Sequence, residues 1–121
     1  MTSVLIIDDS PTETYAYEVM LKKKGYDVLS ADNGADGVTM AKQQQPDVIL
    51  MDIVMPGLNG FQATRQLTKA AETSHIPVIM ISTKDQETDR VWGQRQGASN
   101  YLVKPVAQSA LFSAIAEVLK A

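Results

Sequence analysis

The chain has 121 residues, 45% hydrophobic and 21% charged, enough for one sizeable core and little more. Its 14 acidic and 11 basic residues leave a net charge of −3, which argues against a nucleic-acid surface with its basic stripe. With no cysteine and a single histidine, disulfides, thiolate catalysis, cysteine-bound zinc and multi-histidine metal sites are excluded.

In chain order the pattern reads as five strand–helix alternations. The start has no basic leader region, and its apolar stretch is cut by Asp8 and Asp9, so no signal peptide is expected. A strand at 3–7 leads to a helix at 11–24, with Ser10 as N-cap, Pro11 in the first turn, Glu13 completing a capping box and Gly25 as the stop. A strand at 26–30 turns through Asn33-Gly34 into a helix at 35–44, closed by Pro46. A strand at 47–51 is followed by a Pro56-Gly57 turn and a helix at 60–71 capped by Asn59. Pro77 introduces a strand at 76–81, and Thr83 with Gln86 forms a capping box for a helix at 84–96, stopped by Gly97. A strand at 99–103 and a helix at 107–120 close the chain; Leu111, Ile115, Val118 and Leu119 mark that helix's apolar face.

Short, branched, continuously apolar strands joined by helices imply an α/β fold with a doubly wound parallel sheet and helices on both faces. No run nears the ~20 residues needed to span a bilayer, so no membrane insertion is expected; with a net charge of −3 no nucleic-acid partner is expected either, and the expected location is cytoplasmic. The expected organisation is one domain over 1–121.

The ends of four apolar runs carry the chemistry. Val4-Leu5-Ile6-Ile7 runs into Asp8-Asp9, and Val48-Ile49-Leu50-Met51 into Asp52. Val78-Ile79-Met80-Ile81 runs into Ser82, and Tyr101-Leu102-Val103 into Lys104. Ligands of open α/β sheets bind outside the carboxyl ends of the strands, so three carboxylates, a hydroxyl and an ammonium are expected on one edge. Taken singly, an Asp pair can be a cap or solvated turn, Ser82 a capping hydroxyl and Lys104 a solvated surface residue. Taken together they suit a hard divalent cation, Mg²⁺ or Mn²⁺, and a phosphoryl group.

These residues resemble the receiver domain of two-component response regulators, and the resemblance covers essentially the whole chain. Asp52-Ile53-Val54-Met55-Pro56-Gly57-Leu58-Asn59-Gly60 is similar to the family's D-x-x-M-P-x-x-x-G loop, and Leu5-Ile6-Ile7-Asp8-Asp9 to its acidic pair. Ile81-Ser82-Thr83 holds the Ser/Thr switch position, and the segment from Gly97 to Pro105 resembles the final strand and lysine.

The resemblance implies a flavodoxin-like receiver fold with strand order 2-1-3-4-5. It further implies that Asp52 accepts a phosphoryl group from a histidine kinase's phosphohistidine, with Mg²⁺ on Asp8, Asp9, Asp52 and the Val54 backbone carbonyl. Lys104 and Ser82 would contact the phosphoryl group, and Tyr101 would be the aromatic switch. A cis bond before Pro105 is a further implication. The stretch Arg90-Val91-Trp92-Gly93-Gln94-Arg95-Gln96-Gly97 is similar to stand-alone chemotaxis-type regulators, among them the PilH-like ones of twitching-motility systems. Such a protein is a phosphoacceptor rather than a turnover enzyme, a monomer, and binds its effector through helix 4, strand 5 and helix 5.

Some positions depart from the common pattern. Thr83 is bulkier than the Ala or Gly often found there and is expected to narrow access to Asp52. Val54 and Lys84 leave little to orient a hydrolytic water, so slow-to-moderate self-dephosphorylation is expected. Val91 is expected in the core, with Trp92 about 100° round the helix and partly exposed. Met51, Met55 and Met80 read as core filler, and His75 as a solvated loop residue.

The rival from another class is an aspartyl-nucleophile phosphatase, which needs a second acid two residues after the nucleophile, where this chain has Val54. A flavodoxin would need a Ser/Thr/Gly-rich phosphate loop after the first strand, and a Rossmann dehydrogenase its G-x-G-x-x-G. Within the receiver reading, a phosphate sink for the kinase competes with an effector-binding output.

Overall fold

Each apolar run becomes a strand and each intervening stretch a helix in the computed structural model, which describes residues 1–120. Ala121, the last residue of the expected domain, lies outside them. The order is β1 (Ser3–Ile7), α1 (Pro11–Lys24), β2 (Asp27–Ala31), α2 (Gly34–Gln44), β3 (Val48–Asp52), α3 (Gly60–Lys69), β4 (Val78–Ser82), α4 (Glu87–Arg95), β5 (Asn100–Val103) and α5 (Gln108–Leu119). The strands form one parallel sheet in the order β2-β1-β3-β4-β5. Among the described residues no helix is long and apolar enough to cross a membrane.

The period-2 alternation of the strands divides the core into layers. Val4 and Ile6 of β1, Val48 and Leu50 of β3, and Ile79 and Ile81 of β4 face one side, where Tyr17 and Leu21 of α1 and Leu111 and Ile115 of α5 cover them. Leu5, Ile7, Ile49, Met51 and Val78 face the other side, under Val38 and Ala41 of α2 and Ala63 and Leu67 of α3. Met80 and Tyr101 join Ile53 in a smaller cluster on that second side, toward α4. This alternation also determines which way the residues at the strand ends point.

Several expected boundaries move. Asp52 and Ser82 are the last residues of β3 and β4 rather than the first after them, and β2 begins and ends one residue later than expected. Helix 4 does not begin at residue 84. Gln86 is its N-cap, and the Gln86 N–H donates to Asp89 Oδ2 at 3.2 Å, so the expected Thr83–Gln86 capping box is replaced by a pairing three residues on. Ser10 does cap α1, accepting from the Glu13 N–H at 3.3 Å, but the Glu13 carboxylate does not fold back to complete the box. It is drawn to an ammonium instead. Val91 is 37% exposed, not core, and Leu119 likewise lies off the buried face of α5. Met51, Met55 and Met80 are buried and His75 is exposed, as expected.

Candidate functional site

The strand alternation continues past the ends of the strands and sorts the residues at the sheet edge into two sets. Asp8 extends the Val4–Ile6 parity, Asp52 the Val48–Leu50 parity, and Lys104 that of Leu102, so all three point to the α1/α5 side. The ladder holds them there: the Asp8 N–H donates to the Ala31 carbonyl at 3.1 Å, and the Lys104 N–H to the Ser82 carbonyl at 2.8 Å. Ser82 and Tyr101 share the parity of Met80 and point toward α4.

On the first side the ammonium of Lys104 lies among carboxylates. Its Nζ is 3.0 Å from Asp52 Oδ1, 3.8 Å from Asp8 Oδ2 and 2.6 Å from Glu13 Oε1. The Lys104–Pro105 peptide is cis. Carboxylate oxygens of Asp8, Asp9 and Asp52 lie within 4.8 Å of one another. Asp8 and Asp52 are buried, while Asp9 is exposed at the rim.

The electrostatics follow from that crowding. Burial pushes Asp8 up to about 6, even though its carboxylate accepts the Ser10 N–H at 2.8 Å, and the charge of Asp52 adds to the rise. Burial also raises Asp52, opposed by the hydrogen bond and charge of Lys104. For Lys104 burial works downward, but its bonds to Glu13 and Asp52 outweigh it and hold the ammonium above its ordinary range. Three carboxylates around one ammonium, with Asp9 beside them at the rim, remain under-compensated. An all-oxygen donor set with surplus negative charge fits Mg²⁺ or Mn²⁺, with Asp8, Asp9 and Asp52 able to hold it.

On the second side the contacts are of packing. Tyr101 is buried, its hydroxyl donates to the Lys84 carbonyl at 2.7 Å, and burial raises it above the usual phenol range. The Arg90 guanidinium lies 5.3 Å from the Tyr101 ring centroid and donates to its carbonyl at 3.4 Å. Gly93 lets α4 approach this closely, since a Cβ there would stand 2.9 Å from Met80 Sδ and 3.3 Å from the Tyr101 ring. Ser82 Oγ accepts the Lys84 N–H at 3.2 Å. Gly60 does similar work beneath Asp52: any Cβ would collide with the Asp52 carbonyl and Ile53 Cα, so this turn is closed to side chains.

The structure thus gathers Asp8, Asp9, Asp52 and Lys104 in one cluster, with Ser82 and Tyr101 beside it on the opposite face. Val54 is 60% exposed and contributes no buried side chain. Thr83 lines a groove with Glu13, Tyr17, Lys104 and Pro105, beside the ammonium. Glu13 was not among the expected site residues. Its one sequence signal, an acid in the first turn of a helix that starts two residues after Asp8-Asp9, had been absorbed by the capping-box reading.

Comparison with known proteins agrees with this fold. Protein PilH of Pseudomonas aeruginosa is 66% identical over 119 residues, covering 98% of both chains. The transcriptional regulatory protein AfsQ1 of Streptomyces coelicolor is 34% identical over 99% of this chain and 52% of its own length. Among solved structures, the Vibrio cholerae chemotaxis protein CheY4 superposes with a TM-score of 0.92 at 28% identity, over 98% of both chains. The receiver domain of a Pseudomonas aeruginosa sensor histidine kinase, solved with a magnesium ion in its active-site cleft, also gives 0.92 at 28% identity, over 99% of this chain and 98% of its own. Residues 4–116 match the response regulator receiver domain, and with its acidic edge and 2-1-3-4-5 sheet this chain belongs to the response regulator receiver family.

Proposed function

We propose that the chain is a stand-alone response regulator, a single receiver domain over 1–121, that takes a phosphoryl group onto Asp52 from a histidine kinase of chemotaxis type. The observation that carries this reading is the position of Asp52: a buried carboxylate at the end of the central strand, 3.0 Å from the Lys104 ammonium and within metal-sharing distance of Asp8 and Asp9. The likeness to PilH supports a role in twitching-motility or related signalling.

In the transfer an Asp52 carboxylate oxygen attacks the phosphorus of the kinase's phosphohistidine in line. The P–N bond breaks, and the imidazole keeps its electron pair. Lys104 meets the incoming negative charge, and Ser82 can rotate its O–H toward a phosphoryl oxygen. Mg²⁺ held by Asp8, Asp9, Asp52 and the Val54 carbonyl would supply further positive charge to the phosphoryl oxygens when bound. The acyl phosphate then biases Ser82 and Tyr101, and through them the effector face formed by α4, β5 and α5. The protein is a phosphoacceptor switch rather than a turnover enzyme, and acts as a monomer.

The test is phosphotransfer from candidate kinases in the presence of Mg²⁺. Wild type should take up label and Asp52→Asn should not; label on the variant would overturn the assignment. A pull-down with and without beryllofluoride separates an effector-binding role from a phosphate sink.

A further inference from the structure

Lys104 carries three N–H donors, and its ammonium lies among three acids, bonded to Asp52, paired with Glu13 and beyond hydrogen-bond reach of Asp8. Glu13 Oε1 is nearest at 2.6 Å, Asp52 Oδ1 follows at 3.0 Å, and Asp8 Oδ2 stands at 3.8 Å. Asp8 and Asp52 are buried at the sheet edge and belong to the site itself. Glu13 is different, because it reaches in from the first turn of α1 and its side chain is 40% exposed. Its geometry is that of a rival partner, placed on the solvent side of the same ammonium that a phosphoryl group on Asp52 would need.

Building on the phosphoacceptor reading above, we propose that Glu13 is a positioning residue that competes with the phosphoryl group for Lys104 and so sets how strongly the site retains it. Two effects act in the same direction. Glu13 draws the ammonium toward its own carboxylate and so competes with a phosphoryl oxygen for it, and that carboxylate also repels the added negative charge across the ammonium. The pair is partly exposed, so its influence is modest and screened by salt.

The experiment measures beryllofluoride binding by calorimetry and ¹⁹F NMR at saturating Mg²⁺, so that changes in metal affinity do not enter. Glu13→Gln keeps the shape and removes the charge. It should bind beryllofluoride roughly two- to five-fold more tightly than wild type, the size expected of a partly exposed ion pair. Glu13→Asp, with its charge on a shorter stem, should fall between the two. Glu18→Gln makes the same change in net charge on the same helix, at a residue with no ion pair among the described residues, and should match wild type. The advantage of Glu13→Gln should shrink at high salt, which a purely structural effect would not do.

Equal or weaker binding by Glu13→Gln, or an equal gain in Glu18→Gln, overturns the inference while leaving Asp52 as acceptor. Failure of the wild-type protein to bind beryllofluoride at all, with Asp52→Asn behaving identically, overturns the acceptor reading and this inference with it.

Discussion

The two sides of the sheet edge are held by different forces. On the α1 side Asp8, Asp52 and Glu13 converge on Lys104, and what fixes them is charge. On the α4 side Tyr101 is fixed by fit: Met80 beside it, Gly93 against it, Arg90 over its ring and the Lys84 carbonyl at its hydroxyl. Charge responds to protons, ions and added anions, whereas close packing responds to volume. A chemical signal can therefore enter on the first side and be expressed as shape on the second. β4 and β5 link the two, since Lys104 donates its backbone N–H to the carbonyl of Ser82.

The contrast can be broken most severely from the packed side. Gly93→Val would force branched carbon into Met80 and the Tyr101 ring, and should cost about 1–3 kcal/mol of stability. Chemical denaturation in low and high salt would read it, and the loss should be the same in both.

The charged side should instead answer to pH. Asp8 titrates at about 6 in the folded protein, and a metal ligand must be deprotonated to bind. Mg²⁺ affinity measured by calorimetry should therefore fall about tenfold between pH 7 and pH 5, as protons displace the cation. Without metal the sign reverses. A carboxyl raised on folding favours the folded state while protonated, so this contribution is present below the ordinary 3.8 and is lost as pH rises through about 6. Gly93→Val should leave the position of both transitions unchanged.

Tyr101→Phe sharpens the comparison with a smaller change. It removes the hydroxyl from the Lys84 carbonyl and should cost about 1 kcal/mol in a denaturation experiment. Mg²⁺ affinity at pH 7 should not move, because no atom of the acidic cluster is touched.

The charged side was the more legible in the sequence. Asp8, Asp52 and Lys104 each terminate an unbroken apolar run, and β strands with both faces buried have no other pattern. Glu13 was hidden because the same acid at the same spacing also writes a capping box, and only the position of Lys104 decides which partner it takes. The packed side was harder to read. Gly93 is the one buried residue of α4, so the helix has almost no apolar periodicity from which to find its start or its inner face. That is why Val91 was expected in the core and why helix 4 was expected three residues too early. Asp89, not Gln86, completes its first turn.

Trp92 gives the protein a built-in optical reporter. It is the sole tryptophan, it sits on α4 at 49% exposure, and its ring meets Phe61 of α3 edge-on with centroids 6.5 Å apart. Emission excited selectively at the indole therefore comes from one place, on the shape-governed side and away from the carboxylates. Any shift in α4 against α3, or any partner that covers this helix, changes the indole's solvent contact and hence its emission colour, with no label attached.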